Sequence, residues 1–261
     1  MKKITIIYPS LFGEVYSPWK EELEIAKEVG INTETFDETD FSIRSNLSDC
    51  LVIYRGWMIS QKDYLLISKS VENKGGVMLI PQEQFRKANT FSCWYQLLER
   101  YTMTSNFVRD LDTLDDYFVD DYEWFVKDEL KSLGSEKSIA TSKDEAIDIY
   151  EKIKGHRDFE IENNGICLRE VVDITDEERF FILNGKIIGK HDNEKRISFV
   201  KNIADKLYTK LSLLFVVIDV GTVDDKNKLV EVGGFQVSDM SKEGDTETIK
   251  FIYESINKEF M

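Results

Sequence analysis

The sequence predicts an α/β protein. Its first part builds a small, mostly parallel sheet, and the rest is mixed α+β. Three observations lead there. Short apolar or β-branched runs alternate with segments of helical period from Lys3 to about Ile80, the pattern of strands joined through helices. Beyond Ile166 the strands come close together with turn residues between them, as in antiparallel hairpins. The chain has 261 residues, 42% of them hydrophobic, and only three prolines, so it is long enough to bury a sizeable core and too apolar for disorder.

Lys3–Tyr8 reads as the first strand. Ser17-Pro18 opens a helix to about Val29, with proline in the first turn, Trp19, Leu23, Ala26 and Val29 on one stripe, and Gly30 to stop it. Ile31–Phe36 and Cys50–Tyr54 are the next strands, Lys62–Val71 a helix, Val77–Ile80 a strand, and Glu83–Glu99 one or two helices. In parallel sheets ligands gather where strands end at their carboxyl edge. Arg55 stands at such an end beside Gly56: either its planar fork grips an anion there, or it is a structural arginine stacked on Trp57 or paired with an acid.

Asp110 to Glu123 is an acidic cluster suited to a solvated face or loop. Trp124-Phe125-Val126 is a strand that leads into Lys127, with Lys131 four residues on; paired point charges of this kind suit phosphate, although a lysine after a strand is also a common solvated edge residue. Ser142 to Ile153 is a helix with a capping box of Ser142 and Glu145. Ile166–Val172 and Arg179–Leu183 are strands, Asn184-Gly185 a hairpin turn into Lys186–Lys190, Ser198–Leu211 a helix, and Glu243–Phe260 a closing helix.

Between the last two helices, Phe215–Val220 and Lys228–Val232 form a hairpin around a turn at residues 222–227, and each strand carries one acid among β-branched neighbours. Asp219 and Glu231 therefore lose hydration unless they face water at an edge. A divalent cation makes such a pair tolerable. Without metal, two converging carboxylates would repel, so that neutralising either should leave the protein as stable or more so; strand register decides whether they converge. Gly233-Gly234 after Glu231 allows backbone to approach a ligand closely.

Composition removes other chemistries. Lys plus Arg number 34 against 49 Asp plus Glu, a net charge of −15, which disfavours nucleic acid and anionic membranes as partners. Only two histidines, His156 and His191, leave no multi-histidine zinc site and little material for a Ser-His-Asp arrangement. The three cysteines are widely spaced with no Cys-x-x-Cys pair and read as reduced thiols of a cytoplasmic protein; the apolar run at Ile4–Tyr8 is too short for a signal peptide, and no run is long enough to span a membrane.

The order of these features resembles the ATP-grasp superfamily over nearly the whole chain: a small α/β domain, a strand ending in a lysine, a strand ending at Arg169-Glu170, a Glu-Arg pair on the next, a hairpin, then two acid-bearing strands and Gly-Gly-Phe-Gln-Val-Ser. It looks most like the branch marked by one arginine and two lysines, which includes phage and bacterial peptide-ligase-like proteins. The resemblance implies an amino-terminal α/β domain over residues 1–105 and an ATP-grasp domain over residues 106–261, whose two α+β subdomains clasp ATP. By it Lys127 contacts the ATP phosphates, Glu170, Val171, Val172 and Asp173 form the hinge against adenine, and Glu178 holds the ribose. Asp219 and Glu231 match the magnesium ligands, while Arg55, Lys131 and Arg179 match the basic residues around phosphate and substrate. The chain departs from the family at Gly233, where an asparagine ligand is usual and Gln236 or water must replace it, and in a glycine-rich loop reduced to Gly134-Ser135.

The activity implied is ATP- and Mg²⁺-dependent joining of a carboxylate to an amine through an acylphosphate, with a small molecule or peptide as substrate. The alternatives are a nucleotide-binding sensor without turnover, and a phosphotransferase that stops at the first half-reaction.

Overall fold

The computed structural model describes residues 3–119, 122–130, 132–134, 136–157, 159, 161, 165–240 and 246–260. In chain order the elements are β1 (Lys3–Leu11), β2 (Glu14–Val15), α1 (Ser17–Glu28), β3 (Asn32–Asp37), β4 (Cys50–Tyr54), α2 (Gln61–Asn73), β5 (Val77–Met78), α3 (Gln82–Asn89) and α4 (Phe91–Leu98). They continue with β6 (Ser105–Val108), β7 (Trp124–Lys127), β8 (Ile139–Ala140), α5 (Lys143–Gly155), β9 (Ile166–Glu170), β10 (Thr175–Leu183), β11 (Lys186–Ile188), α6 (Glu194–Leu211), β12 (Phe215–Val223), β13 (Lys226–Gly234) and α7 (Thr246–Phe260). None of the described helices is long and apolar enough to cross a membrane.

The chain divides into two compact units. One comprises Met1–Arg86, Phe180–Ile218 and Gly233–Met261; the other comprises Lys87–Arg179 and Asp219–Val232.

The first unit contains the expected parallel sheet. β1 lies between β3 and β4, parallel to both, β5 extends β4, and β2 folds back antiparallel on the end of β1. Being central, β1 is buried from Ile4 to Ser10, which explains why it reads as a continuous apolar run and not an alternating one. Its core joins Ile6, Tyr8, Val52 and Tyr54 to Tyr64 and Val71 of α2, Phe85 of α3, and Ile252, Tyr253 and Ile256 of α7. Pro18 sits in the first turn of α1, and Gly30 follows its end at φ +81°, a conformation that suits a residue without Cβ.

The second unit is built on the antiparallel sheet β6-β9-β7-β8. One face of it packs on α5: Val126, Leu168 and Ile166 share a core with Ala146, Ile149, Tyr150 and Ile153. α5 starts where its capping sequence places it, with Ser142 Oγ accepting from the Glu145 N–H at 3.3 Å. The Glu145 carboxylate accepts from the N–H and the hydroxyl of Thr141, each at 2.8 Å. Part of the acidic cluster is a 3-10 helix over Leu111–Tyr117 that buries Leu114 and leaves Asp112, Asp115 and Asp116 exposed.

β11, β10, β12 and β13 form a further antiparallel sheet in that order. Asn184-Gly185 makes the two-residue turn between β10 and β11, with φ of 51° and 72°. The hairpin of β12 and β13 is longer and tighter than its sequence suggests. Only Asp224 and Asp225 turn the chain, at φ 48° and 61°, where a looser turn over residues 222–227 was expected.

Candidate active site

In the second unit β7 and β9 run antiparallel with Lys127 opposite Cys167 and Phe125 opposite Arg169. Facing residues share a side of a sheet, so the alternation that sends Val126 and Leu168 into the α5 core sends Lys127, Cys167 and Arg169 to the other side. Lys127 is 4% exposed and Arg169 6%. Two cations have thus been taken out of water on one face, and Lys127 is not the solvated edge residue that a lysine after a strand often is.

What meets them is the start of α4. The Phe91 ring lies 5.2 Å from Lys127 Nζ and 5.4 Å from Arg169 Cζ, within range of cation–π attraction for both. Thr90 gives α4 no side-chain cap; Glu129 supplies one from the chain just after β7, its carbonyl accepting from Phe91 N and its carboxylate from Ser92 N, each at 2.8 Å. Next to it Asp128 is fully buried, paired with Arg157 at 3.1 Å, and accepts from Leu130 N at 2.6 Å. Asp128 and Glu129 thereby fix the backbone that carries Lys127. Neither is singled out by the sequence, since their partners Arg157 and the start of α4 are distant along the chain.

Both acids of the hairpin already have cationic partners. Lys127 Nζ is 3.7 Å from Glu231 Oε1. Arg179, next to Glu178 on β10, holds Asp219 with a two-pronged contact, Nε to Oδ1 at 2.8 Å and Nη2 to Oδ2 at 2.7 Å. Asp219 is 5% exposed whereas Glu231 is close to half exposed. The resting protein therefore does not hold two unrelieved carboxylates in repulsion, as the apolar strands suggest; each is compensated by a basic side chain of the same unit.

Arg169 Nη1 donates to the Val230 carbonyl at 2.9 Å. Burial pulls its guanidinium below its ordinary pKa, with Cys167 and Glu231 acting the other way. Burial likewise pushes the Cys167 thiol up to about 11, against the lowering effect of Lys127 and Arg169.

The expected hinge begins where β9 ends. The strand stops at Glu170, two residues short of its expected end, so residues 171–174 lie outside the ladder. Glu170 is anchored to Thr104, its N–H donating to the Thr104 carbonyl at 2.9 Å and its carboxylate accepting from Thr104 N at 2.8 Å. Val171 and Asp173 are exposed, Val172 and Glu178 half-buried. A Cβ on Gly221 of β12 would meet Ile174 Cγ2 at 2.3 Å, so this glycine lets the hinge segment lie close to the strand that carries Asp219.

Arg55 belongs to the first unit, and its surroundings are those of the second alternative, an arginine paired with an acid. It is 0% exposed. Nε and Nη2 clasp Glu22 of α1, each at 2.7 Å, and Nη1 donates to the Phe235 and Ser238 carbonyls. Glu22 also accepts from Tyr253, whose hydroxyl lies 2.9 Å from that of Tyr8. Burial alone would lower the Arg55 pKa, but Glu22 outweighs it and holds it above its ordinary value. With every nitrogen engaged, Arg55 is an internal strut for residues 235–238. Gln236 is also wholly buried, beside Tyr64. Lys131 and Ser135 lie outside the described residues.

Solved structures share this fold across almost the full chain. The D-cycloserine synthetase DcsG is 14% identical, with 97% of this chain and 99% of that one aligned at a TM-score of 0.65. The macrocyclase MdnC of Microcystis aeruginosa, bound with its precursor peptide MdnA, is 13% identical over 97% and 100%, with a TM-score of 0.59. The ATP-grasp ligase PsnB, complexed with a minimal precursor, Mg and ADP, is 12% identical over 98% and 96%, with a TM-score of 0.55. No curated protein matches the chain by sequence. Residues 81–255, from before α3 to within α7, match the ATP-grasp domain of R2K clade family 3, and the chain belongs to that family.

Proposed function

We propose that the protein is an ATP-dependent carboxylate–amine ligase that uses Mg²⁺. The observation that carries the reading is the set of paired charges in one unit of an ATP-grasp chain: Lys127 buried against Glu231, and Arg179 against Asp219. The donor set fits magnesium. Two carboxylates are what this ion ordinarily takes from protein, water and phosphate oxygens completing its octahedron. Among the described residues no group of three or more His, Cys, Asp or Glu forms a fuller cage. Water, one of the two replacements open for the missing asparagine, would complete the set.

Asp219 and Glu231 would hold the metal, which when bound neutralises charge on the phosphates. Lys127 leaves Glu231 for phosphate oxygens, a change helped by a pair separated by 3.7 Å and open to solvent on the Glu231 side. Arg179, released from Asp219 or still touching it, brings a planar fork to the transferring phosphoryl group or the substrate carboxylate. The free backbone groups of residues 171–174 suit adenine, and Glu178 the ribose. Lys131 belongs to the same reading as a further phosphate or substrate cation.

In the first half-reaction a substrate carboxylate oxygen bonds to the γ-phosphorus and the bond to ADP breaks, giving an acylphosphate. In the second the amine nitrogen bonds to the acyl carbon, phosphate leaves with the bonding pair, and the amine loses a proton. No protein nucleophile is required, in keeping with two histidines in the whole chain. The peptide seen with MdnC and the precursor, Mg and ADP seen with PsnB support a peptide or small carboxylate as substrate. Three free cysteines and the use of ATP support the cytoplasm as its place.

ADP release with a panel of amino acids and peptides tests this. A ligase requires both a carboxylate and an amine; a phosphotransferase releases ADP with one acceptor; a binding module releases none. Either of the last two results replaces the proposal.

A further inference from the structure

We infer that Arg169 is a second phosphate-binding cation for the nucleotide, acting with Lys127 beside the Phe91 ring. The inference rests on the nucleotide-binding reading above. It starts from hydrogen-bonding capacity that the fold leaves unused. A guanidinium carries five N–H groups, and Arg169 donates from Nη1 alone, to the Val230 carbonyl. Nε and Nη2 are buried and have no hydrogen-bond partner among the described residues. Buried donors on a charged group are ordinarily satisfied, and the exceptions require a cause.

A purely structural cause fits poorly. Tying β9 to β13 takes one N–H to one carbonyl, which an uncharged side chain could supply without a charge being desolvated. Nor does a neighbouring anion balance it. Glu231 and Glu170 act on Arg169 electrostatically, but the first is in contact with Lys127 and the second accepts from Thr104 N, and the Cys167 thiol, its pKa raised by burial, is neutral. Lys127 and Arg169 thus share one side of the β7–β9 pair with no carboxylate hydrogen-bonded to Arg169 among the described residues, and burial depresses the Arg169 pKa. A polyanion with several oxygens supplies both the missing charge and the missing acceptors.

The position along the chain selects the nucleotide as that anion. Arg169 immediately precedes Glu170, where β9 ends and the segment suited to adenine begins, and it shares the Phe91 ring with the lysine assigned to phosphate. One molecule carrying a base and phosphates meets both requirements. The sequence held a signal for this, unread at first: in Ile166-Cys167-Leu168-Arg169 the apolar residues alternate inward, which places the arginine on the lysine's face.

The test is isothermal titration of the full chain with Mg²⁺ and a non-hydrolysable β,γ-imido analogue of ATP, alongside thermal melts without nucleotide. Arg169→Gln should weaken the analogue by at least about tenfold, with Arg169→Lys in between, while the nucleotide-free melting temperature stays within about 2 °C of wild type. Analogue affinity within about twofold of wild type in Arg169→Gln overturns the assignment. A fall of several degrees in its nucleotide-free melt also does so, because it makes the arginine a structural strut. Lys127→Ala is the control: if it leaves affinity unchanged the nucleotide reading itself fails, and if it alone loses affinity that reading stands without Arg169.

Discussion

Asp219 and Glu231 are the residues on which the chemistry depends, and the structure separates two properties that their sequence settings left joined. Asp219 is almost fully buried and held by Arg179 at two atoms, while Glu231 is half exposed and only 3.7 Å from Lys127. Removing one charge of a buried, two-pronged pair strands the other, so Asp219→Asn should cost about 2–3 kcal/mol of metal-free stability, at or just below the low end of the usual range because Arg179 keeps some solvent. Glu231→Gln should cost about 1 kcal/mol, since that pair is looser and Lys127 retains the Phe91 ring. Both should abolish magnesium-dependent ATP turnover. Chemical denaturation in EDTA and an ADP-release assay check the pair of outcomes; retained turnover in both variants would make the acids structural. The apolar run around Asp219 showed in the sequence that it would be buried, but nothing local pointed to Arg179, 40 residues away, as its partner. Arg55 is the sharper case. A strand end beside a glycine suggests a ligand contact, and its real partner, Glu22, sits on α1 as one more charge in a helix rich in them.

At the scale of elements, local signals were accurate where one residue dictates backbone geometry. Pro18 and Gly30 bound α1, Ser142 caps α5, and Asn184-Gly185 turns β10 into β11, since each acts within one or two residues of itself. Strands β6 and β8 were missed because Ser105–Val108 and Ile139–Ala140 are too short to show a period and owe their conformation to pairing with β9 and β7. Gly221 went unread for a related reason, that the need for a glycine there comes from Ile174 on another element. The hinge segment and β12 are in direct contact at this point, so Gly221→Ala must displace Ile174. We expect a stability loss of about 1–3 kcal/mol, and a fall in nucleotide affinity larger than the loss of fold predicts, because the displaced residues are those proposed to meet adenine. Nucleotide titration under conditions where the variant is fully folded checks it. Wild-type affinity there would remove residues 171–174 from the base site.

For the whole molecule, the ATP-grasp resemblance was legible in the order of features more than in any one of them, since each motif is short and common while their sequence along the chain is not. The division into units was not legible, because both units are assembled from separated stretches and such contacts leave no mark on neighbouring residues. Net charge gives the last prediction. A chain of −15 must bind a polyanion against its own field, so local cations have to carry the contact. At rest Lys127 and Arg179 are each matched to a carboxylate. ATP alone would draw these cations from Glu231 and Asp219 and leave both carboxylates uncompensated beside phosphate, whereas magnesium replaces the charge withdrawn. Nucleotide and metal should therefore stabilise the fold together far more than either does alone. At an analogue concentration about 100 times its Kd with Mg²⁺, the gain is about 2.7 kcal/mol, or roughly 5–10 °C in melting temperature for a chain of this size. The same analogue in EDTA should give less than about half that shift, and Mg²⁺ alone almost none. A thermal melt under the three conditions decides it: an equal shift in EDTA would mean that the nucleotide binds without involving the paired carboxylates, and that Asp219 and Glu231 are not where its metal sits.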